Sequence, residues 1–118
     1  MSAQSEALQT RLIDFGIAAG QWAARLEGNS ATKNVANQLA RAAMSPAANY
    51  SEAQQAESRR DFLHKMQICL KELCETEVWL RATVRLGHGN PQSAELLREC
   101  RELIAIFVAS VKTTKAGM

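Results

Sequence analysis

The sequence predicts an all-α fold, an antiparallel up-down-up-down four-helix bundle in a single domain over residues 1–118. Three observations predict it. Apolar residues recur three and four positions apart through four separate segments, the spacing that places side chains on one helix face. Alanine is abundant, while 6 Gly, 2 Pro and 5% aromatic residues make the sheet-forming and helix-breaking types scarce. Short turn signals rich in Gly, Asn and Pro divide the segments, and short turns between amphipathic helices join antiparallel neighbours. With 47% hydrophobic and 22% charged residues the chain is globular rather than disordered and long enough to bury a core.

The first helix is expected over residues 4–26, with Leu8, Leu12, Phe15, Ala19, Trp22 and Leu26 on its core side. Gly16 and Gly20 lie inside it. Each costs a helix about 1 kcal/mol against alanine, so both are expected where a neighbouring backbone comes close. Gly28-Asn29-Ser30 ends this helix and caps the next. The second helix, residues 32–55, buries Val35, Leu39, Ala42, Ala43, Tyr50 and Ala53. Pro46 removes a backbone donor from its middle, which predicts a kink or, alternatively, two shorter helices breaking near Ser45.

The third helix, residues 59–86, starts at Ser58-Arg59-Arg60-Asp61, a capping box with Asp in place of Glu, and stops at Gly87-His88-Gly89. Asn90-Pro91 opens the fourth helix, residues 91–112, with a capping residue and a proline at the first helical position. Its broad apolar face holds Leu96, Leu97, Cys100, Leu103, Ile104, Phe107, Val108 and Val111, with Ile106 outside it. Residues 113–118 are expected to fray.

Helix three carries two apolar stripes. Phe62, Met66, Cys69, Leu73, Leu80 and Val84 suit a bundle core, whereas Ile68, Trp79, Ala82 and Leu86 lie on nearly the opposite side. A helix in a monomeric bundle needs one stripe. The second predicts contact with another chain, with Trp79 as anchor because buried aromatics dominate interface energies. Ile68, Glu75, Trp79, Ala82, Leu86 and Ile106 are therefore the candidate oligomer interface.

Chemistry finds less support. Net charge is +2, from 14 basic and 12 acidic residues, too balanced to predict nucleic-acid binding. The N-terminus lacks a secretory pattern and the longest apolar run, residues 103–109, is too short to span a bilayer, so a soluble cytoplasmic protein without a membrane partner is expected. Cys69, Cys74 and Cys100 have no metal-ligand spacing and read as core or near-core hydrophobes. Di-metal bundles need two Glu-x-x-His pairs and further carboxylates. Only Asp61-Phe62-Leu63-His64 has such spacing, with Asp, so neither metal nor cofactor is expected. A carboxylate cluster, Glu72, Glu75 and Glu77 with His64, is the sole candidate for acid–base or metal chemistry, and Lys71–Glu75 and Glu77–Arg81 are spaced as ordinary ion pairs. No nucleophile elbow or phosphate loop is present, and no catalytic residue is assigned.

Helix two has a polar row, Gln38, Arg41, Ser45, Asn49 and Glu52, within roughly 80° around the axis. It reads either as a solvated face or as a polar network, with Arg41 level with Glu72 or Glu75 of helix three as its ion-pair partner. Basic residues gather at the two ends of helix three: Arg59, Arg60, His64 and Lys65, then Arg81, Arg85 and His88. Arg59, Arg60, Lys65, Arg81 and Arg85 are the candidate phosphate contacts if RNA, DNA or a nucleic-acid enzyme is a partner.

The run from Gln38 to Ala53 (QLARAAMSPAANYSEA), followed by Asp61-Phe62-Leu63, Leu70-Lys71-Glu72, Glu75-Thr76, Trp79-Leu80 and Leu86-Gly87, resembles a known family. That family consists of bacterial four-helix bundles encoded by intervening sequences within 23S ribosomal RNA genes, and is itself similar to accessory proteins of diversity-generating retroelements. Gln38, Arg41, Ala42, Ser45, Asn49, Glu52 and Glu75 match its signature. One feature departs: Pro46 follows Ser45 directly, where the family usually inserts an apolar residue. The resemblance implies a homopentamer of antiparallel bundles with no established enzymatic activity. It also implies, through the retroelement relatives, binding to a reverse transcriptase and nucleic acid by a strongly basic surface that a net charge of +2 does not supply.

Overall fold

The computed structural model describes residues 2–118, folded into four helices: α1 Ala3–Ala24, α2 Ser30–Gln54, α3 Arg59–Thr83 and α4 Pro91–Ala116. Each helix starts on a side-chain cap that satisfies otherwise orphaned N–H groups. Ser2 accepts from Ser5 N, Asn29 from Thr32 N and Ser58 from Asp61 N. The Asp61 carboxylate in turn accepts from Glu57 N at 3.3 Å, one residue earlier than a standard capping box places it. At α4 the box is reciprocal, Asn90 accepting from Ser93 N at 2.8 Å and Ser93 Oγ from Asn90 N at 2.9 Å. Short turns make successive helices antiparallel, giving a bundle of 47 × 23 × 19 Å.

The core follows the sequence stripes closely. Leu12, Phe15, Ala19 and Trp22 of α1, Leu39, Ala43, Tyr50 and Ala53 of α2, Met66, Cys69, Leu73 and Leu80 of α3, and Leu96, Cys100, Leu103 and Phe107 of α4 are all buried. The gaps in the α3 stripe are filled by Thr76 and Thr83, both fully enclosed. Their hydroxyls donate to their own helix, to Glu72 O and Leu80 O, each at 2.7 Å. A buried hydroxyl so satisfied carries no desolvation penalty for an unmade bond. Val35 is only half-buried; Thr32 and Ala36 are the buried residues of that turn.

α2 passes through Pro46 as one helix, so the break near Ser45 does not occur. Pro46 itself is buried, and neighbouring helices grip the backbone around it. Gln9 of α1 donates to Ala47 O at 2.8 Å, and the Cys69 thiol of α3 donates to Pro46 O at 3.6 Å. Gly16 lies so near that a β-carbon there would stand 2.8 Å from Ala43 O. The expected close approach is thus found at Gly16 but not at Gly20, where an added β-carbon meets nothing within 4 Å.

Two helix ends differ from expectation. α3 leaves α-geometry at Thr83 and continues as a π-helical turn, Val84–His88, in which Gly87 takes φ 96°. Val84, at the start of that turn, is exposed because Thr83, one residue earlier, holds the core position of the stripe. α4 runs to Ala116 instead of fraying after Lys112, and Arg59 Nη1 fastens its end by donating to Gly117 O at 2.6 Å.

α1 packs along α2, α2 along α3 and α3 along α4, while α1 and α4 meet least closely. An ionic group bridges that side. Arg11 donates to both oxygens of Glu99 at 2.7 Å and to Glu102 at 2.9 Å, and Arg98 pairs with Glu95 and Glu102 on the outer edge.

The two glycines should respond oppositely to the same substitution. Gly16→Ala forces a methyl against backbone and should lower unfolding stability by about 1–3 kcal/mol. Gly20→Ala enters open space and should raise it by about 0.5–1 kcal/mol. Urea unfolding of both variants checks this, and equal effects would contradict the packing.

Candidate interaction surface

The polar row of α2 and the second stripe of α3 form the two edges of one outer face. On α3 the row runs Lys65, Ile68, Glu72, Glu75, Trp79, Ala82, Leu86 at alternating steps of three and four, one continuous helix edge through Ala82. Lys65 Nζ joins it to α2 through Glu52 at 2.9 Å. Further along, the Arg41 charge acts on the Glu72 carboxylate. Ile68, Glu72, Trp79 and Ala82 are half-buried, whereas Glu75 and Leu86 are exposed. Trp79 rests part of its ring on the core and leaves the rest outside.

Within the α2 row the side chains bond chiefly to each other. Asn49 Nδ2 donates to Ser45 Oγ at 2.9 Å and Ser45 O at 3.1 Å. The Arg41 guanidinium donates to Gln38 Oε1 at 2.6 Å, so the direct Arg41 ion pair with Glu72 or Glu75 is replaced by a bond within α2. Nor do Lys71–Glu75 and Glu77–Arg81 pair among the described residues: Glu77 crosses to α4 and accepts from Arg101 Nε at 2.9 Å. Long side chains on a bundle surface reach across to the next helix as readily as along their own.

This leaves Glu72 and Glu75 side by side. Partial burial, and then the neighbouring Glu75 carboxylate, raise the Glu72 pKa above the usual range, with Lys71 and Arg41 opposing. These two adjacent carboxylates, one of them half-buried, have Arg41 and Lys71 nearby but form no ion pair among the described residues.

Ile106 does not join this face. It packs against the core from α4 and lines a cleft with Leu8 and Arg11 of α1. The basic residues are scattered. Arg59 is held by Gly117 and Lys65 by Glu52, while Arg60, Arg81 and Arg85 form no ion pair among the described residues. Arg81 and Arg85 border a groove of about 490 Å³ with Val78, Ala82, Val84 and Leu97, between the end of α3 and α4. About 36 Å of helix separates the two ends of α3, so one chain presents no continuous basic stripe.

Periodicity alone passed over a second apolar patch. Ile13 and Ile17, 43% and 44% exposed, stand on α1 beside Gly16, and Met44 of α2, 53% exposed, reaches the same place. Its signal was present as two isoleucines four apart and off the core stripe.

The remaining nucleophiles and ligands offer little chemistry. Among the described residues no three His, Cys, Asp or Glu side chains converge to hold a metal, and no helix is long and apolar enough to cross a membrane. Cys69 and Cys100 are buried as expected, their thiols pushed up to about 12 by burial. Cys74 is exposed, contrary to the core reading, because it lies on the outer side of α3.

The sequence profile of the 23S rRNA-intervening sequence protein family matches residues 18–109. The chain is also similar to a solved structure, a protein with unknown function from the S23 ribosomal protein family of Bacteroides thetaiotaomicron. The two share 27% identity over 92% of this chain and 97% of that one, with a TM-score of 0.82. No curated protein matches the chain.

Two outcomes follow from these environments. Iodoacetamide at pH 8 should modify Cys74 alone in the folded protein, with Cys69 and Cys100 reacting only after unfolding; mass spectrometry of the alkylated chain reads this directly. Because the Glu72 pKa is raised on folding, the native state holds its proton more tightly, so this group's contribution to stability declines as pH rises through the folded pKa. Glu72→Gln should therefore stabilise the protein at pH 7 by a few tenths of a kcal/mol, roughly, after solvent screening, with the advantage gone below about pH 4. Thermal melts across that range test the sign.

Proposed function

The chain belongs to the 23S rRNA-intervening sequence protein family, and we propose that it is a non-enzymatic, homo-oligomeric interaction protein whose copies meet through the α2–α3 face. The observation that carries this reading is the half-buried Trp79, set in one row with Ile68, Ala82 and Leu86 and beside the unmatched Glu72–Glu75 pair. A partly wet indole flanked by aliphatic side chains gains most of its remaining burial only from a second molecule. The carboxylate pair adds a preference for a partner surface that brings a cation.

The second patch, Ile13, Ile17 and Met44, supports the same reading. It lies on the α1–α2 side, while the Trp79 row lies on the α2–α3 side. Two different patches on one chain suit a head-to-tail contact, and repeated head-to-tail contacts close into a ring when the rotation permits. A ring of five, which the sequence resemblance implies, is the proposed closed form. An interface anchored by one aromatic in each copy needs no catalytic group.

Size-exclusion chromatography with light scattering at micromolar concentration should give a particle several times the 12.9 kDa chain mass. Trp79→Glu and, independently, Ile17→Glu should shift it toward monomer while circular dichroism stays helical. A wild-type protein that runs as a clean monomer would overturn the proposal.

A further inference from the structure

The loosely closed α1–α4 side holds a cleft of about 550 Å³ where the start of α1 meets the end of α4. Leu8 from α1, Phe62 and Met66 from α3 and Ile106 from α4 form its apolar wall, and the uncharged polar side chains of Gln4, Ser5, Gln54 and Ser110 line the rest. α2 contributes Tyr50, which is 4% exposed and packs edge-on against Phe107 with ring centroids 5.7 Å apart. A buried phenol ordinarily finds a hydrogen-bond partner. The Tyr50 hydroxyl has none among the described residues. The only fully enclosed side-chain polar atom left without a partner there is Gln9 Oε1, so the Tyr50 hydroxyl is not sealed in the core but opens onto the cleft that the residue lines.

The charge around the cleft narrows what could fill it. Arg11 is its one charged lining residue, and Glu99 and Glu102 already hold that guanidinium at 2.7 and 2.9 Å. An anionic ligand would meet a neutralised cation with two carboxylates behind it. A cation would have to leave water for a cleft lined by no acidic side chain. We propose that this cleft is a binding site for an uncharged amphiphilic small molecule, its apolar body lying on Leu8, Phe62, Met66 and Ile106 and its hydroxyl or carbonyl oxygen hydrogen-bonded to Tyr50. The volume falls within the range of small-molecule sites, and an apolar wall faced by a few uncharged polar groups is a composition that suits them. No residue of the Trp79 row lines the cleft, so the two sites are spatially distinct.

The test is a titration of the full chain with octan-1-ol, followed by isothermal calorimetry and by amide chemical shifts. Saturable binding is expected, with the shifts clustered around Leu8, Tyr50, Phe62 and Ile106. Tyr50→Phe should weaken it about fivefold, the value of one hydrogen bond. Octanoate, carrying a charge on the same chain length, should bind at least about tenfold more weakly. Ile106→Trp, which fills the recess, should remove binding with the helical spectrum retained. Absence of saturable octan-1-ol binding, shifts dispersed over the whole surface, unchanged affinity in Tyr50→Phe, or equal affinity for octanoate would each overturn the proposal.

Discussion

The bundle is organised around the stretch of α2 backbone on either side of Pro46. Proline costs a helix interior one hydrogen bond and some steric relief, and here three neighbours surround the affected turn. Gly16 brings α1 to within contact of Ala43 O, Gln9 donates to Ala47 O, and the Cys69 thiol of α3 reaches Pro46 O. The absence of a side chain at Gly16 permits the approach, and the approach sets the register of α1 on α2. Because Cys69 uses the same turn from the other side, α3 is set against α2 at the same level.

The rest of the architecture follows from that choice. With α1 and α3 both held close to α2, the fourth helix completes the bundle by packing on α3, and its contact with α1 is the loosest of the four. Side chains too long for a tight interface occupy that side instead. Arg11 spans to Glu99 and Glu102, and its bidentate geometry gives the bridge a direction as well as a charge. The recess beneath Leu8 and Ile106 is the space left where two helices are held apart by an ion pair rather than drawn together by small residues. The outer α2–α3 face has the opposite origin, a close pair of helices whose surplus apolar and acidic groups have nowhere to go but outward.

Much of this was legible from spacing. Four segments, their caps at Asn29, Ser58 and Asn90, the core positions and the second stripe of α3 are all periodic or local features, and such features survive folding because they depend on neighbours within one turn. The propensity cost of glycine in a helix predicts a close approach at Gly16, and Ala43 O stands there. The same cost predicts one at Gly20, which lies in the open, since propensity says that a glycine needs a reason without saying which. The buried threonines escape a hydrophobic pattern because a hydroxyl looks polar in a sequence; Thr76 and Thr83 are apolar in effect once they bond their own helix carbonyls. Apolar character alone puts Val84 in the core, but the core position belongs to Thr83, one residue earlier.

By itself the sequence determined the four helices, their antiparallel order and most of the buried side chains, because hydrophobic period, capping and turn chemistry are written in adjacent residues. Only the tertiary structure decided the partners of the long polar side chains: Arg41 with Gln38, Glu77 with Arg101, Arg11 with Glu99. It alone placed Tyr50 at a cleft and Ile106 within it. A flexible side chain several bonds long can reach partners on either of two neighbouring helices. Which one it meets depends on interhelical register and separation, and these arise from packing around one turn of α2 rather than from any local pattern.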